Sequence, residues 1–173
     1  MQYLHSSQIE THGYLNSNNC VIDSRWLLKV TNFGLNKFRE IQSFNSTDCF
    51  EINDLLWFAP ELLRLNQPFW YCSQKADVYS FAIVLQELLL REKPYSTHRH
   101  LSTVDIIERV KHSTPLFRPD LQNVDKYHTE DHIPRDVIKI TQRCWSEDPE
   151  ERPSFDRLHE EFKKFFGERY QKS

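Results

Sequence analysis

The side chains of this sequence that could do chemistry are concentrated in two short polar stretches on either side of a predicted β-hairpin. His12, Tyr14 and Asn19 precede the hairpin, and Asn32 follows it. A phenol has a reference pKa of about 10, so a tyrosine stays neutral near pH 7 and does not act as a general base. An amide oxygen offers no charge to a hard cation such as Mg²⁺. These residue types alone predict little proton-transfer or metal chemistry.

Signatures of other catalytic and metal sites are missing from the sequence. It contains no Cys-x-x-Cys, His-Glu-x-x-His or Gly-x-Ser-x-Gly pattern, and its three glycines form no phosphate-binding loop. His128 and His132 are four residues apart, but their stretch lacks the apolar stripe of a helix, so we predict no metal there. The four cysteines are far apart and predict reduced thiols, as in cytosolic proteins: Cys20, Cys49, Cys72 and Cys144.

The length and charge of the chain limit the classes of protein to which it could belong. The 173 residues fit one domain, and a net charge of −3 without a basic run argues against nucleic-acid binding. No apolar run approaches the ~18 residues of a membrane span, and no polybasic or amphipathic segment predicts direct membrane contact. We therefore expect the chain by itself to be soluble and cytosolic.

The most regular helical pattern runs from Asp77 to Leu89. Its apolar residues cover nearly the whole circumference, which predicts a helix inside the domain. Asp77 is expected to cap the first turn by accepting hydrogen bonds from free N–H groups. We expect the rest of the chain to be organised around this helix.

The remaining elements follow from local patterns. Short β-type runs at 20–23 and 27–31 predict the hairpin, and a capping-box pattern begins a helix at Ser102. Two more helices are predicted, one after Pro134 and one over about 154–166 with a row of phenylalanines on one face. The predicted class is mainly α with a small β-hairpin. Loops are expected over 36–54 and 113–132.

The order of motifs along the chain resembles that of protein kinases. The helix that begins near Asp77 is similar to the central helix of the kinase C-lobe. The resemblance implies a protein-kinase-like C-lobe, with the N-lobe absent from these residues. Three stretches have the order and spacing of the kinase motifs H-R-D-L-x-x-x-N, D-F-G and A-P-E: His12-Gly13-Tyr14-Leu15 with Asn19, Asn32-Phe33-Gly34, and Ala59-Pro60-Glu61.

Departures from the kinase pattern argue against phosphotransfer. Tyr14 stands where kinases have the aspartate that accepts the substrate proton, and Asn32 stands where they have the aspartate that holds Mg²⁺. Gly13 replaces the kinase arginine. Losing the base alone costs about 10²–10⁴ in rate. The resemblance therefore implies a pseudokinase that has no catalytic residue, in which Asn19 and Asn32 form a vestigial cofactor site without a metal.

Within that group, the chain is most similar to the kinase-homology domain of receptor guanylyl cyclases, over about residues 3–167. In that family the first motif reads like H-G-x-L-x-S-x-N-C, as residues 12–20 do here. Other matches are Leu56-Trp57-x-Ala59-Pro60-Glu61 and Cys144-Trp145-x-Glu147-Asp148-Pro149. The guanylin and heat-stable enterotoxin receptor branch is the most similar at three places: Tyr3-Leu4-His5-Ser6-Ser7, Phe117-Arg118-Pro119-Asp120-Leu121 and Phe166-Gly167.

The resemblance also implies boundaries, partners and location. Residues 1–167 would form the N-terminally truncated C-lobe, and residues 168–173 would begin a linker toward a cyclase domain. In a homodimeric parent receptor, the domain would contact its own N-lobe and cyclase domain on the cytoplasmic side of the plasma membrane. It would relay ligand binding to cyclic GMP synthesis. We expect no cofactor in this fragment, with ATP as a regulator of the full domain.

Five residues receive structural roles from the same resemblance: His12, Phe33, Glu61, Asp77 and Arg152. Glu61 and Arg152 lie in motifs that pair in kinases, so we expect an ion pair between the end of the activation segment and the last helices. His12 is expected to pack under its loop and not to act as a catalyst.

Two other functions are compatible with the sequence. One is a diverged tyrosine-kinase-like enzyme fragment that binds ATP. An aspartate at position 14 or 32 would favour it, and neither is present. The other is a free-standing pseudokinase scaffold that binds partners through its kinase-like surface. Flanking sequence distinguishes all three, because a downstream cyclase domain favours the receptor and an upstream Val-Ala-x-Lys strand favours the enzyme.

Overall fold

The computed structural model describes residues 1–35, 51–65, 72–112, 114–121, 124 and 135–170. These residues are mainly helical with one small sheet, as the sequence predicts. His128, His132 and Cys49 lie outside the described residues. The α-helices are α1 (Gln2–His5), α2 (Pro60–Leu63), α3 (Gln74–Leu90), α4 (Thr103–Lys111), α5 (Arg135–Cys144) and α6 (Phe155–Tyr170); the strands are β1 (Cys20–Ile22) and β2 (Leu28–Val30); 3₁₀ helices lie at Ser17–Asn19, Ile52–Trp57, Ser96–His98 and Pro149–Glu151.

Helix α3 is the central element. It begins after Ser73, whose Oγ accepts the N–H of Ala76 at 3.0 Å, and ends at Arg91, which has a left-handed φ of +52°. The prediction that Asp77 caps this helix is wrong, because Ser73 takes that role and the Asp77 carboxylate binds backbone N–H groups elsewhere. Most of the helix is buried as predicted, but Leu88 is 65% exposed.

The hydrophobic core surrounds α3. Helix α5 and the 3₁₀ helix Ile52–Trp57 pack against α3, and α4 packs against that 3₁₀ helix and α2. Fully burying one large aliphatic or aromatic side chain contributes about 1.5–3 kcal/mol, so this cluster is the main source of stability. Its members include Trp57, Phe58, Tyr79, Ile83, Leu90, Tyr95, Trp145, Phe155 and Leu158.

The predicted hairpin is present, and its strands are antiparallel. Cys20 pairs with Val30, and Ile22 pairs with Leu28. The turn is held by Asp23, whose carboxylate accepts backbone N–H groups, and those bonds lower the pKa of that carboxyl. Beyond the base of the hairpin the apolar side chains are exposed, for example 57% for Ile22 and 59% for Leu28.

The capping box at the start of α4 is confirmed. The Oγ of Ser102 accepts the N–H of Asp105 at 3.2 Å, and the Asp105 carboxylate accepts the N–H of Ser102 at 3.2 Å. This exchange satisfies two N–H groups at the helix start and fixes where α4 begins.

Helix α6 carries the predicted row of phenylalanines and continues past Gly167. Phe155 is buried at its first turn, and Phe162 packs against the edge of the core. Phe166 is 45% exposed; its ring stacks on that of Phe162 at 6.1 Å and meets that of Phe165 edge-on at 5.1 Å. The second half of the row is therefore a partly exposed aromatic surface. By length and hydropathy, no helix in the described ranges is able to cross a membrane.

Candidate functional site

Asp77 supports the loop that carries the candidate site. Its Oδ2 accepts the N–H of His12 at 2.7 Å and lies 2.9 Å from Nε2 of His5, while its Oδ1 accepts the N–H of Gly13 at 2.9 Å. Gly13 has a φ of +72°, which glycine adopts without strain. Hydrogen bonds to a buried carboxylate are strong, and Asp77 is 2% exposed. These bonds fix the start of the loop on α3.

His12 is fully buried beneath the same loop. Its Nε2 lies 2.9 Å from the carbonyl oxygen of Thr31, and its Nδ1 accepts the N–H of Tyr14 at 3.2 Å. A carbonyl oxygen only accepts, so Nε2 carries the proton and the imidazole is the neutral tautomer. With both ring nitrogens bound to backbone groups, His12 joins the loop to the residue that follows β2.

Tyr14 and Asp54 meet although they are 40 residues apart. The phenol O–H donates to Oδ2 of Asp54 at 2.5 Å, a short distance typical of a bond to a carboxylate. Both residues are half-buried. Sequence reasoning missed Asp54, because it lies where a loop was expected and the structure instead has the 3₁₀ helix Ile52–Trp57. No local pattern could have identified Asp54 as the partner.

Asn19 and Asn32 form the second half of the site. The Nδ2 of Asn32 donates to Oδ1 of Asn19 at 2.6 Å, and the Nδ2 of Asn19 donates to the carbonyl oxygen of Tyr14 at 2.8 Å. Asn32 has a φ of +62°, a conformation that asparagine tolerates better than most residues. The two candidate cofactor residues therefore come together, and the side-chain oxygen of Asn19 already accepts a hydrogen bond.

Glu87 is a further polar contact of the loop that sequence reasoning did not single out. Its two carboxylate oxygens accept Ser17 Oγ–H and Trp57 Nε1–H, each at 3.0 Å. Burial raises the pKa of the Glu87 carboxyl, although these two hydrogen bonds oppose the shift. The available signal was one acidic residue inside an otherwise apolar helix pattern.

Glu61 and Arg152 come together as the sequence predicts. Nη1 and Nη2 of Arg152 donate to the two carboxylate oxygens of Glu61 at 2.6 and 2.8 Å. The side chain of Arg152 is 0% exposed and that of Glu61 is 29% exposed. The pair joins α2 to the residues after the 3₁₀ helix Pro149–Glu151.

Phe33 differs from the other structural candidates because it is 44% exposed. It therefore lacks the burial that His12, Asp77 and Arg152 have. Across the same ranges, no cluster of three or more His, Cys, Asp and Glu side chains is placed to hold a metal ion. Cys20, Cys72 and Cys144 form no disulfide with one another.

Comparison with known proteins places this geometry in a family. A model described as protein tyrosine and serine/threonine kinase matches residues 1–162. Those residues include every element of the candidate site, from His12 to Arg152.

Full-length relatives give a narrower comparison. The chain is 40% identical to atrial natriuretic peptide receptor 2 of Rattus norvegicus over 160 residues, 91% of this chain and 14% of the relative. It is 38% identical to retinal guanylyl cyclase 2 of Bos taurus, and equally to that of Homo sapiens, over 165 residues, 95% of this chain and 14% of each relative. The chain thus spans about one seventh of the length of these relatives.

Proposed function

This chain belongs to the protein tyrosine and serine/threonine kinase family, and from that premise we propose that it is the regulatory kinase-homology domain of a receptor guanylyl cyclase. The domain transfers no phosphate. In the parent receptor it relays the binding of an extracellular ligand to the synthesis of cyclic GMP.

The observation that carries the loss of phosphotransfer is the state of Tyr14 and Asn32. The Tyr14 hydroxyl donates a hydrogen bond to Asp54, and a neutral phenol is no substitute for the carboxylate that accepts a substrate proton. The Asn32 amide donates to Asn19, so the two side chains that would face a metal–nucleotide complex bind each other. An amide also lacks the charge that Mg²⁺ prefers in its ligands.

The receptor assignment is supported by the relatives. One is named as a guanylyl cyclase and another as a natriuretic peptide receptor, and both align with more than nine tenths of this chain. We carry over to this chain a location on the cytoplasmic side of the plasma membrane within a homodimeric parent receptor, with the N-lobe and the cyclase domain of that parent as partners. The guanylin and enterotoxin receptor branch stays a prediction from the sequence motifs. ATP is proposed as a regulator of the full domain.

Helix α6 is the proposed output of the domain. Phe155 in its first turn is buried in the core, and Phe162 packs against the core. A shift of the core would therefore move the helix with it. Phe165 and Phe166 follow at the partly exposed end, close to the proposed linker. A relay of this kind needs two discrete arrangements that the ligand biases.

The absence of phosphotransfer is tested with labelled ATP. The purified chain is expected to label neither itself nor a mixed peptide substrate above a blank without protein. Labelling that disappears in Asn19→Ala would contradict the proposal and would favour a diverged, active kinase.

The relay is tested in the parent receptor, by replacing Phe165 and Phe166 with alanine. We expect ligand-stimulated cyclic GMP output to fall while the receptor still reaches the cell surface. Leu116→Ala, at a 59% exposed position outside α6, is the control and should leave the output unchanged. Unchanged output in the double alanine variant would exclude α6 as the relay.

A further inference from the structure

Two segments that are remote in sequence are joined by the hydrogen bond between Tyr14 and Asp54. Tyr14 lies in the loop that follows Gly13, and Asp54 lies in the 3₁₀ helix Ile52–Trp57. We propose that this bond is a clasp that holds the Ile52–Trp57 segment closed over the loop. Tyr14, which stands where kinases have the proton-accepting aspartate, would thus act as a positioning residue for the neighbouring segment. The clasp does not depend on the proposed receptor function.

The geometry of the contact suits a clasp. The 2.5 Å between the Tyr14 hydroxyl oxygen and Oδ2 of Asp54 is in the range of charge-assisted hydrogen bonds. Such bonds are roughly twice as strong as bonds between neutral groups. Both side chains are half-buried, so water competes only in part. The Tyr14 ring also meets the ring of Phe58, with 6.3 Å between the ring centres and a tilt of 53°.

Each segment is also anchored independently of the clasp. Asp77 fixes the loop through the N–H groups of His12 and Gly13. The other segment is fixed at its end, where Ser80 Oγ–H donates to the carbonyl oxygen of Trp57 at 2.8 Å. The Tyr14–Asp54 bond lies between these anchors, so opening it would leave both anchors and the core in place.

A second hydrogen bond joins the Ile52–Trp57 segment to α4. The Oδ1 of the exposed Asn53 accepts Oγ1–H of Thr103, the first residue of α4, at 3.0 Å. This bond fastens the segment to α4, whereas the clasp fastens it to the loop. A variant that loses only the clasp should therefore loosen the loop side of the segment.

The two residues of the clasp also line a small cavity. The cavity between the loop and the segment, lined by Tyr14, Asp54, Phe58 and Ser80 among others, has a volume of about 10 Å³. That volume holds about one water molecule. This cavity therefore has no room for a larger group while the clasp is closed.

Hydrogen exchange on the purified chain tests the clasp. The reporters are the amides of Asp54 and Phe58, which donate to the carbonyl oxygens of Glu51 and Leu55. Tyr14→Phe removes only the hydroxyl, and Asp54→Ala removes both oxygens that could accept it. Tyr3→Phe, at an 87% exposed tyrosine, is the matched control. We expect each single variant to lower the protection of the reporters by about 10- to 100-fold, with amides of α3 unchanged.

The double variant decides whether the two residues act together. If they form one clasp, Tyr14→Phe with Asp54→Ala loses no more protection than either single change. Additive losses, unchanged reporters, or equal losses throughout α3 would each overturn the proposal. Should Tyr14→Phe fail to fold, Asp54→Ala is compared with the parent chain alone, and unchanged reporters there would overturn the proposal as well.

Discussion

Arg152 and Glu61 form a two-bond ion pair in which every N–H group of the arginine side chain has an acceptor. Besides the two bonds to Glu61, the guanidinium donates to the carbonyl oxygens of Ser146, Lys75 and Glu147. It also lies 5.2 Å from the centre of the Tyr79 ring. A charge is tolerated in a protein interior when it is paired and fully hydrogen-bonded. Arg152 meets that condition, so its removal leaves several acceptors without a partner.

Arg152→Ala is expected to lower the free energy of unfolding by about 3–5 kcal/mol, the usual cost of removing one partner of a buried ion pair. Urea unfolding followed by circular dichroism measures the change. Arg157→Ala is the matched control, because Arg157 pairs with Glu161 but its side chain is 67% exposed. An exposed pair contributes under about 1 kcal/mol. Equal midpoints for the two variants would show that the Glu61 pair contributes nothing.

Restoring a carboxylate at position 14 is expected to destabilise the fold. Tyr14→Asp places a second negative charge near Asp54, whereas Tyr14→Asn is similar in size and uncharged. At neutral pH the aspartate variant should therefore melt at a lower temperature than the asparagine variant. The difference should shrink below about pH 4, where carboxyl groups become protonated. An aspartate variant as stable as its control at neutral pH would contradict this.

Glu87 predicts a specific pH dependence of stability. Burial raises the pKa of its carboxyl above the ordinary 4.5, so the folded chain keeps this proton at pH values where the unfolded chain has released it. The stabilising effect of that proton is complete below pH 4.5 and is lost as pH rises through the folded-state pKa. Glu87→Gln cannot titrate, so its unfolding free energy should rise relative to the parent chain across that window.

Chemical denaturation at a series of pH values measures this difference. The exposed Glu51→Gln is the control and should follow the parent chain. A constant offset between Glu87→Gln and the parent, from acid to neutral pH, would mean that Glu87 titrates alike in the folded and unfolded chain.

Cys144 is expected to resist alkylation in the folded protein. Burial raises the pKa of its thiol to about 12, and the thiolate is the reactive form. Relative to an unperturbed cysteine, the thiolate fraction falls by about 1000-fold near pH 8. Iodoacetamide treatment followed by mass spectrometry should leave Cys144 unmodified while the half-buried Cys72 reacts, and unfolding in urea should make both react. Equal rates in the folded chain would contradict the assignment of Cys144 to the core.

Local patterns predicted the elements well, because their causes are local. The capping box at Ser102 and the apolar circumference of the central helix depend only on neighbouring residues. The prediction that Asp77 caps the helix is wrong because the partners of its carboxylate are distant in sequence. Ser73 begins the helix four residues earlier, which leaves the Asp77 carboxylate inside it to bind the N–H groups of His12 and Gly13.

The contacts of the site were predictable only where a motif linked distant residues. Glu61 and Arg152 were paired through two motifs that are far apart in sequence. Tyr14 was placed at the site, but its partner Asp54 depends on how the chain folds back over the loop. The same holds for the bonds of Glu87 to Ser17 and Trp57, because no helical or strand period connects them.

The exposed hairpin has a consequence for handling the protein. Strands β1 and β2 are the whole of their sheet among the described residues, so each has an outer edge that pairs with no other strand there. An apolar two-stranded hairpin with free edges is a ready template for strand addition by another chain, the first step of aggregation. Loss of soluble protein should therefore accelerate with concentration. A charged residue at the 59% exposed Leu28 should slow that loss without touching the core.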